Sequence, residues 1–426
     1  MTYENTLAFA QALDHTDSLR HFRDRFHIPQ SDGQSLTYLC GNSLGLQPKS
    51  ARAALEQELT TWQNLGVEGW FEPGEETNQT WLGYHTTCKE ALSHIVGAEP
   101  AEVCPMNALT VNIHLLLASF YQPTDRKYKI LTIKGDFPSD QYALETHVRH
   151  RAGLASVINP ADALIEVVPD TDTGLIHTTN IRRAIAEHAD ELAVIWMSGL
   201  NYYTGQVYDM AAIAETAREY GIPVGFDLAH AIGNIPLRLH DWGVDFATWC
   251  SYKYLNSGPG AVSGIFIHQK HHSRNLPRLA GWWGYREDKR FEMTPGFLPQ
   301  PGADGWQLST PNIPALALHR AALKITDEAG MAALRQKSEK LTGYLENVLA
   351  SFDAVQLLTP DDPNQRGCQL SLLVRERGRD LFAYLTKQGI IGDWREPDCI
   401  RLAPTPLYNT FEDVWRVGDA LSRFFS

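Results

Sequence analysis

The middle of the chain alternates short apolar runs with amphipathic segments. Ala211–Tyr220 has the periodicity of an amphipathic helix and ends at a glycine. It lies within a series of apolar runs of strand length: Lys129–Ile133, Leu192–Met197, Ile222–Phe226, Val244–Trp249 and Ala261–Ile267. Near-continuous apolar runs are typical of strands that are buried on both faces. Because strands that alternate with helices form parallel sheets covered by helices, the pattern predicts a large α/β domain with a mostly parallel sheet.

The N-terminal fifty residues have a different pattern. They predict an arm with one helix, Glu4–Phe26, and a short strand, Leu36–Cys40. A helix from Pro48 to Trp62 follows, with proline near its start, where its missing N–H costs nothing. The pattern predicts that residues 1–50 form an arm that is associated with a C-terminal domain.

The C-terminal part predicts a second, smaller domain. A Gly/Pro-rich stretch, Pro295–Pro314, indicates a boundary, and two long helices follow it. The predicted elements are the helices Ala315–Glu328, Met331–Leu349 and Asp380–Gln388 and the strands 366–374 and 398–403. We therefore expect a large domain over 51–305 and a compact α+β domain over 306–426, within the usual size range of domains.

The charge balance excludes some classes of partner. The net charge is −13 over 426 residues, which argues against general binding to nucleic acid or to anionic membranes. The chain has no apolar stretch of about 18 residues, and Met1–Ala12 lacks the pattern of a signal peptide. The six cysteines are scattered without a C-x-x-C motif, as is usual for reduced thiols. These features predict a cytoplasmic protein.

One lysine has an unusual setting. Lys253 lies between Tyr252 and Tyr254, after an apolar run and before the turn Gly258-Pro259-Gly260. A lysine held near a sheet edge is partly desolvated, and a desolvated amine is more readily neutral and nucleophilic. Asp227 ends the apolar run that begins at Ile222, and ligands bind at that edge of open α/β sheets. The two residues together indicate a Schiff-base lysine and an aspartate that holds a pyridine nitrogen, although a solvated lysine and a turn aspartate remain alternatives.

Other segments predict supporting groups. Thr110 precedes the helical stretch Val111–Phe120, and a helix N-terminus with a hydroxyl group is suited to phosphate, although a simple helix cap is the commoner case. Phe137, after a glycine turn, is placed to stack on an aromatic cofactor. Arg401 is a lone charge in the apolar strand of the small domain, which suits either a carboxylate clamp or an internal salt bridge.

A rival motif and two groups of histidines offer alternatives to this interpretation. Gly41-Asn42-Ser43-Leu44-Gly45 matches G-x-S-x-G, the nucleophile elbow of serine hydrolases. It comes too early in the chain for a central strand, so a glycine-supported turn near a binding site fits Ser43 better. The histidines near 147–150 and 268–272 lack the H-E-x-x-H pattern. We therefore expect no metal.

Seven segments resemble the kynureninase family of fold-type-I pyridoxal phosphate enzymes. They are Tyr38–Pro48, Met106–Asn112, Phe137–Asp140, Tyr202–Gln206, Gly225–Ala231, Cys250–Asn256 and Arg401–Pro404. The resemblance covers nearly the whole chain. It implies that Lys253 binds the cofactor covalently, that Asp227 pairs with the pyridine nitrogen with His230 beside it, and that Tyr252 is a proton shuttle near the phosphate.

The resemblance also implies further contacts. Leu109, Thr110 and Tyr252 would bind the phosphate, together with Trp282 from a second subunit of a homodimer whose active sites lie between subunits. The remaining implied cofactor contacts are Phe137, Pro138, Ser139, Asp140, Ser198 and Thr310, and the implied substrate contacts are Ser43, Trp70, Thr310 and Arg401.

The implied reaction is hydrolysis of L-kynurenine to anthranilate and L-alanine, in tryptophan degradation through kynurenine and towards NAD biosynthesis. Animal members, which favour 3-hydroxykynurenine, have histidine and asparagine where this chain has Trp70 and Thr310. The chain therefore resembles the bacterial type, with weaker activity on the 3-hydroxy substrate. A serine hydrolase and a non-enzymatic relative that keeps the fold are the two other hypotheses.

Overall fold

The computed structural model describes residues 3–74, 78–154, 158–374 and 376–426. In this part of the chain, no helix is both long and apolar enough to cross a membrane. The helices are α1 Leu7–Thr16, α2 Ala51–Leu65, α3 Lys89–Val96, α4 Leu109–Phe120, α5 Pro138–Leu154, α6 Thr178–Glu187, α7 Met210–Glu219, α8 Leu239–Trp242, α9 Ile313–Ala329, α10 Met331–Leu349, α11 Gly378–Lys387 and α12 Phe411–Phe425.

The strands belong to a large sheet, a small sheet and two short pairs. They are β1 Gln30–Ser31, β2 Gln34–Ser35, β3 Thr37–Tyr38, β4 Val103–Pro105, β5 Lys129–Ile133, β6 Leu164–Val167, β7 Leu192–Ser198, β8 Val224–Asp227, β9 Phe246–Trp249, β10 Gly264–Ile267, β11 Val355–Leu357, β12 Leu370–Val374, β13 Ile390–Ile391, β14 Asp393–Arg395 and β15 Cys399–Leu402.

The large sheet confirms the α/β prediction. Its seven strands have the order β4-β10-β9-β8-β7-β5-β6. The strands from β9 to β6 are parallel to one another, and β10 is antiparallel to both β9 and β4. All seven residues of β7 are buried, as expected of a central strand that is covered by helices on both faces.

The carboxyl ends of the central strands meet at one edge of this sheet. Ser198 at the end of β7 is paired in register with Asp227 at the end of β8, and Asp227 is paired with Thr248 of β9. Lys253 follows β9 after one short turn. Residues that are far apart in sequence therefore converge at the edge where open α/β sheets bind ligands.

The C-terminal unit is built on a four-stranded antiparallel sheet of order β11-β12-β15-β14. Helices α10, α11 and α12 share an apolar core with its strands. The N-terminal arm joins this unit, because β3 pairs in parallel with β13 and Ala10 of α1 is buried in the same core. Helix α9 belongs to both units, since Leu316 and Leu323 pack in the large core while Ile325 packs under the arm.

The prediction of one continuous helix over Glu4–Phe26 is wrong. Helix α1 ends at Thr16, and a separate 3-10 turn covers Arg20–Arg25. The interruption lies at Asp17, whose backbone is extended and whose carboxylate accepts the Leu19 N–H. Lys337 of α10 forms a buried ion pair with Asp17 at 2.7 Å. This long-range pair fixes a helix end that the local sequence pattern does not indicate.

Candidate active site

Lys253 lies in a buried turn at the carboxyl edge of the large sheet. Its side chain is largely enclosed, with 9% of the residue surface exposed. The Nζ atom lies 2.8 Å from Nε2 of His230 and 5.9 Å from the ring centroids of both Phe137 and Tyr252. The amine is thus confined among one imidazole and two aromatic rings, as a nucleophilic lysine requires.

The G-x-S-x-G segment supports this turn by close packing. The Gly45 N–H donates to the carbonyl of Tyr252 at 2.8 Å. A Cβ atom at Gly45 would lie 2.2 Å from the Lys253 carbonyl oxygen and 2.4 Å from Oδ1 of Asn256. The second glycine is therefore needed for contact with the backbone that carries Lys253.

Ser43 does not have the surroundings of a hydrolase nucleophile. Its hydroxyl group contacts the carboxylate of Asp393 and the guanidinium groups of Arg401 and Arg395. Within the described ranges, no histidine forms a hydrogen bond with it. A serine nucleophile needs a general base in contact, so the hydrolase interpretation of this motif has no support.

Three buried aspartates surround the inner end of the pocket. Asp227 accepts the Ala229 N–H at 2.7 Å, and Asp140 accepts Nε1–H of Trp196 at 2.9 Å. Asp136 accepts the backbone N–H groups of Ser198 and Phe137 at 2.8 and 3.0 Å. Since each carboxylate is almost inaccessible to solvent, the site favours a cationic group near these side chains.

The pKa shifts in this cluster follow from burial. Burial raises the pKa of Asp227 to about 6, and the Lys253 charge partly opposes this rise. Burial and the charges of Asp227 and Asp136 raise the pKa of Asp140. Burial and the neighbouring Lys253 lower the pKa of His230, which favours the neutral imidazole. Burial also raises the pKa of Tyr252, so its phenol keeps its proton at neutral pH.

A phosphate-sized group has suitable donors at the other end of the pocket. Leu109 begins α4 and lines the pocket, so the free N–H groups of that helix lie beside it. Thr110 and Ser139, near the N-terminal ends of α4 and α5, bring their hydroxyl oxygens within 2.7 Å of each other. Two helix N-termini and two hydroxyl groups therefore meet at one point, and Pro138 begins the second helix.

In the described part of the chain, some buried polar atoms in or next to the pocket lack a protein hydrogen-bond partner. They include Nδ1 of His230, which lines the pocket, and Oγ of Ser251, two residues before Lys253. Buried polar atoms in proteins are usually hydrogen-bonded. An aromatic cofactor with a cationic ring nitrogen, polar ring substituents and a phosphate fits this combination of carboxylates, unpartnered atoms and helix N-termini.

Arg401 lies beside the pocket, in a strand of the small domain. It lies in β15, its side chain is 1% exposed, and its Nη2 atom is 2.5 Å from Oδ2 of Asp393. Its Nη1–H group donates to the carbonyl of Tyr202 at 2.7 Å, and Tyr202 itself lines the pocket. Of the two alternatives left by the sequence, the internal salt bridge is present, with Asp393 as the partner, and the carboxylate clamp stays a prediction.

The structure brings some of the predicted residues together in one cavity and places others elsewhere. Those that line one cavity with Lys253 are Leu109, Phe137, Ser198, Asp227, His230 and Tyr252. Trp282 lines a separate cleft with Tyr285 and Phe297, and Thr310 lines another beside Asn107. Trp70 packs its ring at 5.5 Å from Trp81 and 5.7 Å from Trp283. The roles of Trp282, Thr310 and Trp70 stay predictions.

Sequence reasoning missed four residues of the site. Asp136 and Tyr202 line the pocket, and Asp393 and Arg395 surround Ser43 and Arg401. Asp136 directly precedes the predicted Phe137, so its place after a strand was a usable signal. Tyr202 begins the family segment Tyr202–Gln206, which was a usable signal as well, whereas Asp393 and Arg395 lie in a short strand without a diagnostic pattern.

A group with metal-ligand spacing lies outside this pocket. In the described part of the chain, ligand atoms of Glu102, His240 and His268 lie within 4.8 Å of one another. Protein hydrogen bonds already engage them: Nδ1 of His240 lies 2.9 Å from Glu102, and Nδ1 of His268 accepts the Lys270 N–H. The cluster is therefore explained by its own hydrogen bonds, and the prediction of no metal stays a prediction.

Comparison with solved structures shows the fold. The cysteine desulfurase CsdA from Escherichia coli superposes with a TM-score of 0.76 at 15% identity, covering 96% of this chain and 98% of that one. The cystine C-S lyase C-DES gives a TM-score of 0.71 at 20% identity, covering 90% and 97%. A family model for DegT/DnrJ/EryC1/StrS aminotransferases matches residues 152–237.

Comparison of sequences shows the family. A kynureninase C-terminal domain model matches residues 334–421. The kynureninase of Xanthomonas oryzae pv. oryzae (strain PXO99A) is 52% identical over 412 residues, covering 96% of this chain and 95% of that protein. That of Xanthomonas campestris pv. campestris (strain B100) is 52% identical over 419 residues, covering 97% of each. The chain therefore belongs to the kynureninase family.

Proposed function

We propose that this protein hydrolyses L-kynurenine to anthranilate and L-alanine with pyridoxal 5'-phosphate as cofactor. The observation that carries the proposal is the buried amine of Lys253, 2.8 Å from His230, at the strand ends where Asp227 is placed. The relatives at 52% identity are named kynureninases. Together, the site chemistry and the family support one reaction.

Residues of several helices, strands and loops would hold the cofactor. Lys253 would bind its aldehyde carbon, and Asp227 would pair with its ring nitrogen. Phe137 would cover a ring face, while Asp140 and His230 would lie near the polar edge. The phosphate would take the hydroxyl groups of Thr110 and Ser139 and the N–H groups of α4, and Leu109, Pro138, Ser198 and Tyr252 would complete the enclosure.

The chain's own side chains carry the proton transfers. When bound, pyridoxal phosphate supplies an electron-withdrawing ring that stabilises negative charge at the substrate's α-carbon. The Lys253 amine, once released, can take the α-proton and return it, because its confined position keeps it close to the reacting carbon. The carboxylate of Asp227 would hold the proton of the ring nitrogen. Tyr252, whose pKa is raised by burial, can donate its phenolic proton and recover it.

The remaining chemistry consumes one water molecule. Addition of water to the γ-carbonyl of L-kynurenine and cleavage of the Cβ–Cγ bond give the carboxylic acid of anthranilate and a three-carbon fragment. A proton delivered to Cβ by Tyr252 or Lys253 completes L-alanine, so the atoms of substrate and water balance. The substrate carboxylate would bind at Arg401 and Ser43, which holds the α-carbon in position for these transfers.

The first test is a side-by-side assay of the two substrates. We expect the cofactor-loaded protein to release fluorescent anthranilate from L-kynurenine and to act more weakly on 3-hydroxy-L-kynurenine. Trp70 and Thr310 stand where the animal members have histidine and asparagine, which is the basis for this preference. Absence of anthranilate would refute the function. A preference for 3-hydroxy-L-kynurenine would refute only the expected substrate preference and not the reaction.

We further propose a homodimer in which Trp282 of each subunit completes the phosphate site of the other. Exposed aromatic rings support an interface: Trp282, Phe291 and Phe71 are 43%, 52% and 50% exposed. Their rings form one chain, with centroids 5.7 Å apart for Trp282 and Phe291 and 6.0 Å apart for Phe71 and Phe291. A contiguous apolar patch of this kind marks a protein interaction site.

Sedimentation velocity tests this assembly. We expect a mass of twice the 47.7 kDa chain. Phe291→Asp should shift the protein towards the monomer, because a charge would enter the centre of the apolar patch. Val168→Asp, at another exposed apolar residue, is the matched control and should stay dimeric. A monomeric wild type with full activity would contradict the proposal.

The compartment and the pathway are also proposals. All six cysteines are free, and five are buried, which suits a reducing cytoplasm. The products place the reaction in tryptophan degradation through kynurenine, with NAD biosynthesis as one possible destination of the aromatic product.

A further inference from the structure

A second arginine, Arg395, lies beside Arg401, the residue that is predicted to clamp the substrate carboxylate. Oδ2 of Asp393 accepts hydrogen bonds from Nη2 of Arg401 at 2.5 Å and from Nη2 of Arg395 at 3.2 Å. The same two groups approach Oγ of Ser43, at 3.2 Å from Arg401 and 3.5 Å from Arg395. Two guanidinium groups therefore share one carboxylate and one hydroxyl group.

The charges of this cluster do not cancel. Arg401 and Arg395 contribute two positive charges, and Asp393 contributes one negative charge. Arg401 and Asp393 by themselves would be a neutral pair, with side chains only 1% and 10% exposed. A substrate carboxylate that approached such a pair would gain little net attraction, and it would be repelled by the carboxylate already present. With Arg395 the cluster carries one uncompensated positive charge, which matches one carboxylate.

Arg395 is also the accessible member of the cluster. Its side chain is 40% exposed, whereas Arg401 is enclosed. Nε atoms of both arginines are buried without a protein partner in the described part of the chain. The enclosed Arg401 can therefore define the position of a ligand. The half-exposed Arg395 can change its side-chain conformation to contact that ligand.

The cluster faces the reaction centre. Both arginines lower the pKa of His230, after the larger effects of burial and Lys253, and the His230 ring lies 2.8 Å from the Lys253 amine. Arg401 also holds the backbone carbonyl of Tyr202, whose side chain packs at 5.3 Å from the Phe137 ring. A ligand bound by these arginines would thus lie beside the groups that bind the cofactor.

We propose that Arg395 is a second substrate-binding residue, which gives the clamp the net charge that selects a monocarboxylate. Asp393 is a positioning residue that holds both guanidinium groups and sets this charge. The proposal rests on the proposed function, since the ligand is the α-carboxylate of the amino acid substrate. It differs from a single-arginine clamp, in which Arg395 would be an ordinary surface residue.

A set of variants that change the net charge of the clamp tests the proposal, with KM and kcat measured on the dimeric holoenzyme and L-kynurenine. Arg395→Gln makes the clamp neutral, and we expect KM to rise about tenfold, as for loss of a partly exposed charge-assisted hydrogen bond. We expect kcat to stay within about threefold, because the carboxylate is bound equally in the ground and transition states. Arg379→Gln, which removes an arginine from an exposed ion pair, is the control for total charge and should leave KM unchanged.

The double variant provides the decisive result. Asp393→Asn with Arg395→Gln restores one net positive charge, so KM should return to within about threefold of the wild type. Asp393→Asn alone leaves two positive charges and an amide oxygen that can still accept from both guanidinium groups, so KM should fall below that of the wild type. The inhibition constant of the α-carboxamide analogue of L-kynurenine should be unaffected by Arg395→Gln, since that analogue lacks the charge.

Several results would overturn the proposal. One is a wild-type KM in Arg395→Gln, and another is a double variant that binds substrate more weakly than either single variant. The latter would mean that the cluster is a structural network. An inactive wild type would refute the proposed function instead, so the two failures are distinguishable.

Discussion

Replacing Lys253 with alanine should reduce kcat/KM for L-kynurenine by about four orders of magnitude or more, because both the covalent attachment of the cofactor and the principal base are lost. The amine lies 2.8 Å from His230 inside a closed pocket, and no other lysine is among the residues that line this cavity in the described part of the chain. After borohydride reduction, peptide mass spectrometry should find the cofactor on Lys253 of the wild type. The Lys253→Ala variant should carry no covalent cofactor.

A lysine at the far end of the sheet provides the control for this experiment. Lys270 pairs with Asp245 at 2.8 Å, away from the residues that line the pocket, so Lys270→Ala should retain activity and labelling. Labelling at a different lysine in the wild type would contradict the assignment of Lys253. Strong residual activity in Lys253→Ala would mean that another group, such as His230, can remove the proton.

Asp227→Asn should lower kcat/KM by roughly a hundredfold to a thousandfold, as expected when one partner of a buried charge pair is removed. An amide can still accept the Ala229 N–H group, so the local turn should remain intact. It cannot hold a positive charge on a pyridine nitrogen. Steady-state kinetics at saturating pyridoxal phosphate measure the loss without the effect of weaker cofactor binding.

The same substitution should stabilise the cofactor-free protein at pH 8. Burial raises the pKa of Asp227 to about 6, above the usual value near 4 of an unfolded chain. The folded state is therefore progressively destabilised by this carboxylate as the pH rises from about 4 to 6, and the cost is fully present above that range. Thermal unfolding at pH 8 should show a rise of a few degrees for Asp227→Asn, and at pH 4 the difference should vanish. A lower melting temperature at pH 8 would contradict this account.

The local pattern predicted the bounds of some helices and strands in both domains well. The strand Lys129–Ile133 and the helix Met331–Leu349 have the predicted bounds, because continuous apolar runs and amphipathic periodicity leave few alternatives. The arm was harder to predict, since the end of α1 depends on a buried pair between Asp17 and Lys337. A helix end fixed by a contact over such a sequence distance leaves no signal in the local pattern.

In the candidate site, too, the local pattern predicted some residues and gave no signal for others. Asp227 ends one apolar strand and Lys253 follows another. The strand pattern alone therefore predicted that both lie at the ligand-binding edge of the sheet. The resemblance supplied the roles of Thr110 and Arg401, which the spacing alone left open. Asp393 escaped detection because it lies in a three-residue strand, and its contact with Ser43 joins residues that are 350 positions apart in sequence.

The sequence by itself determined the α/β fold, the lysine and aspartate that define the chemistry, and the family. Each depends on short-range patterns or on motifs that can be read in order along the chain. Only the tertiary structure decided which charges share one space: three buried carboxylates around the pocket, and two arginines around Asp393. Electrostatic interactions depend on distance and burial rather than on sequence separation. The net charge of each cluster is therefore determined by the tertiary fold, which brings these strands and loops together.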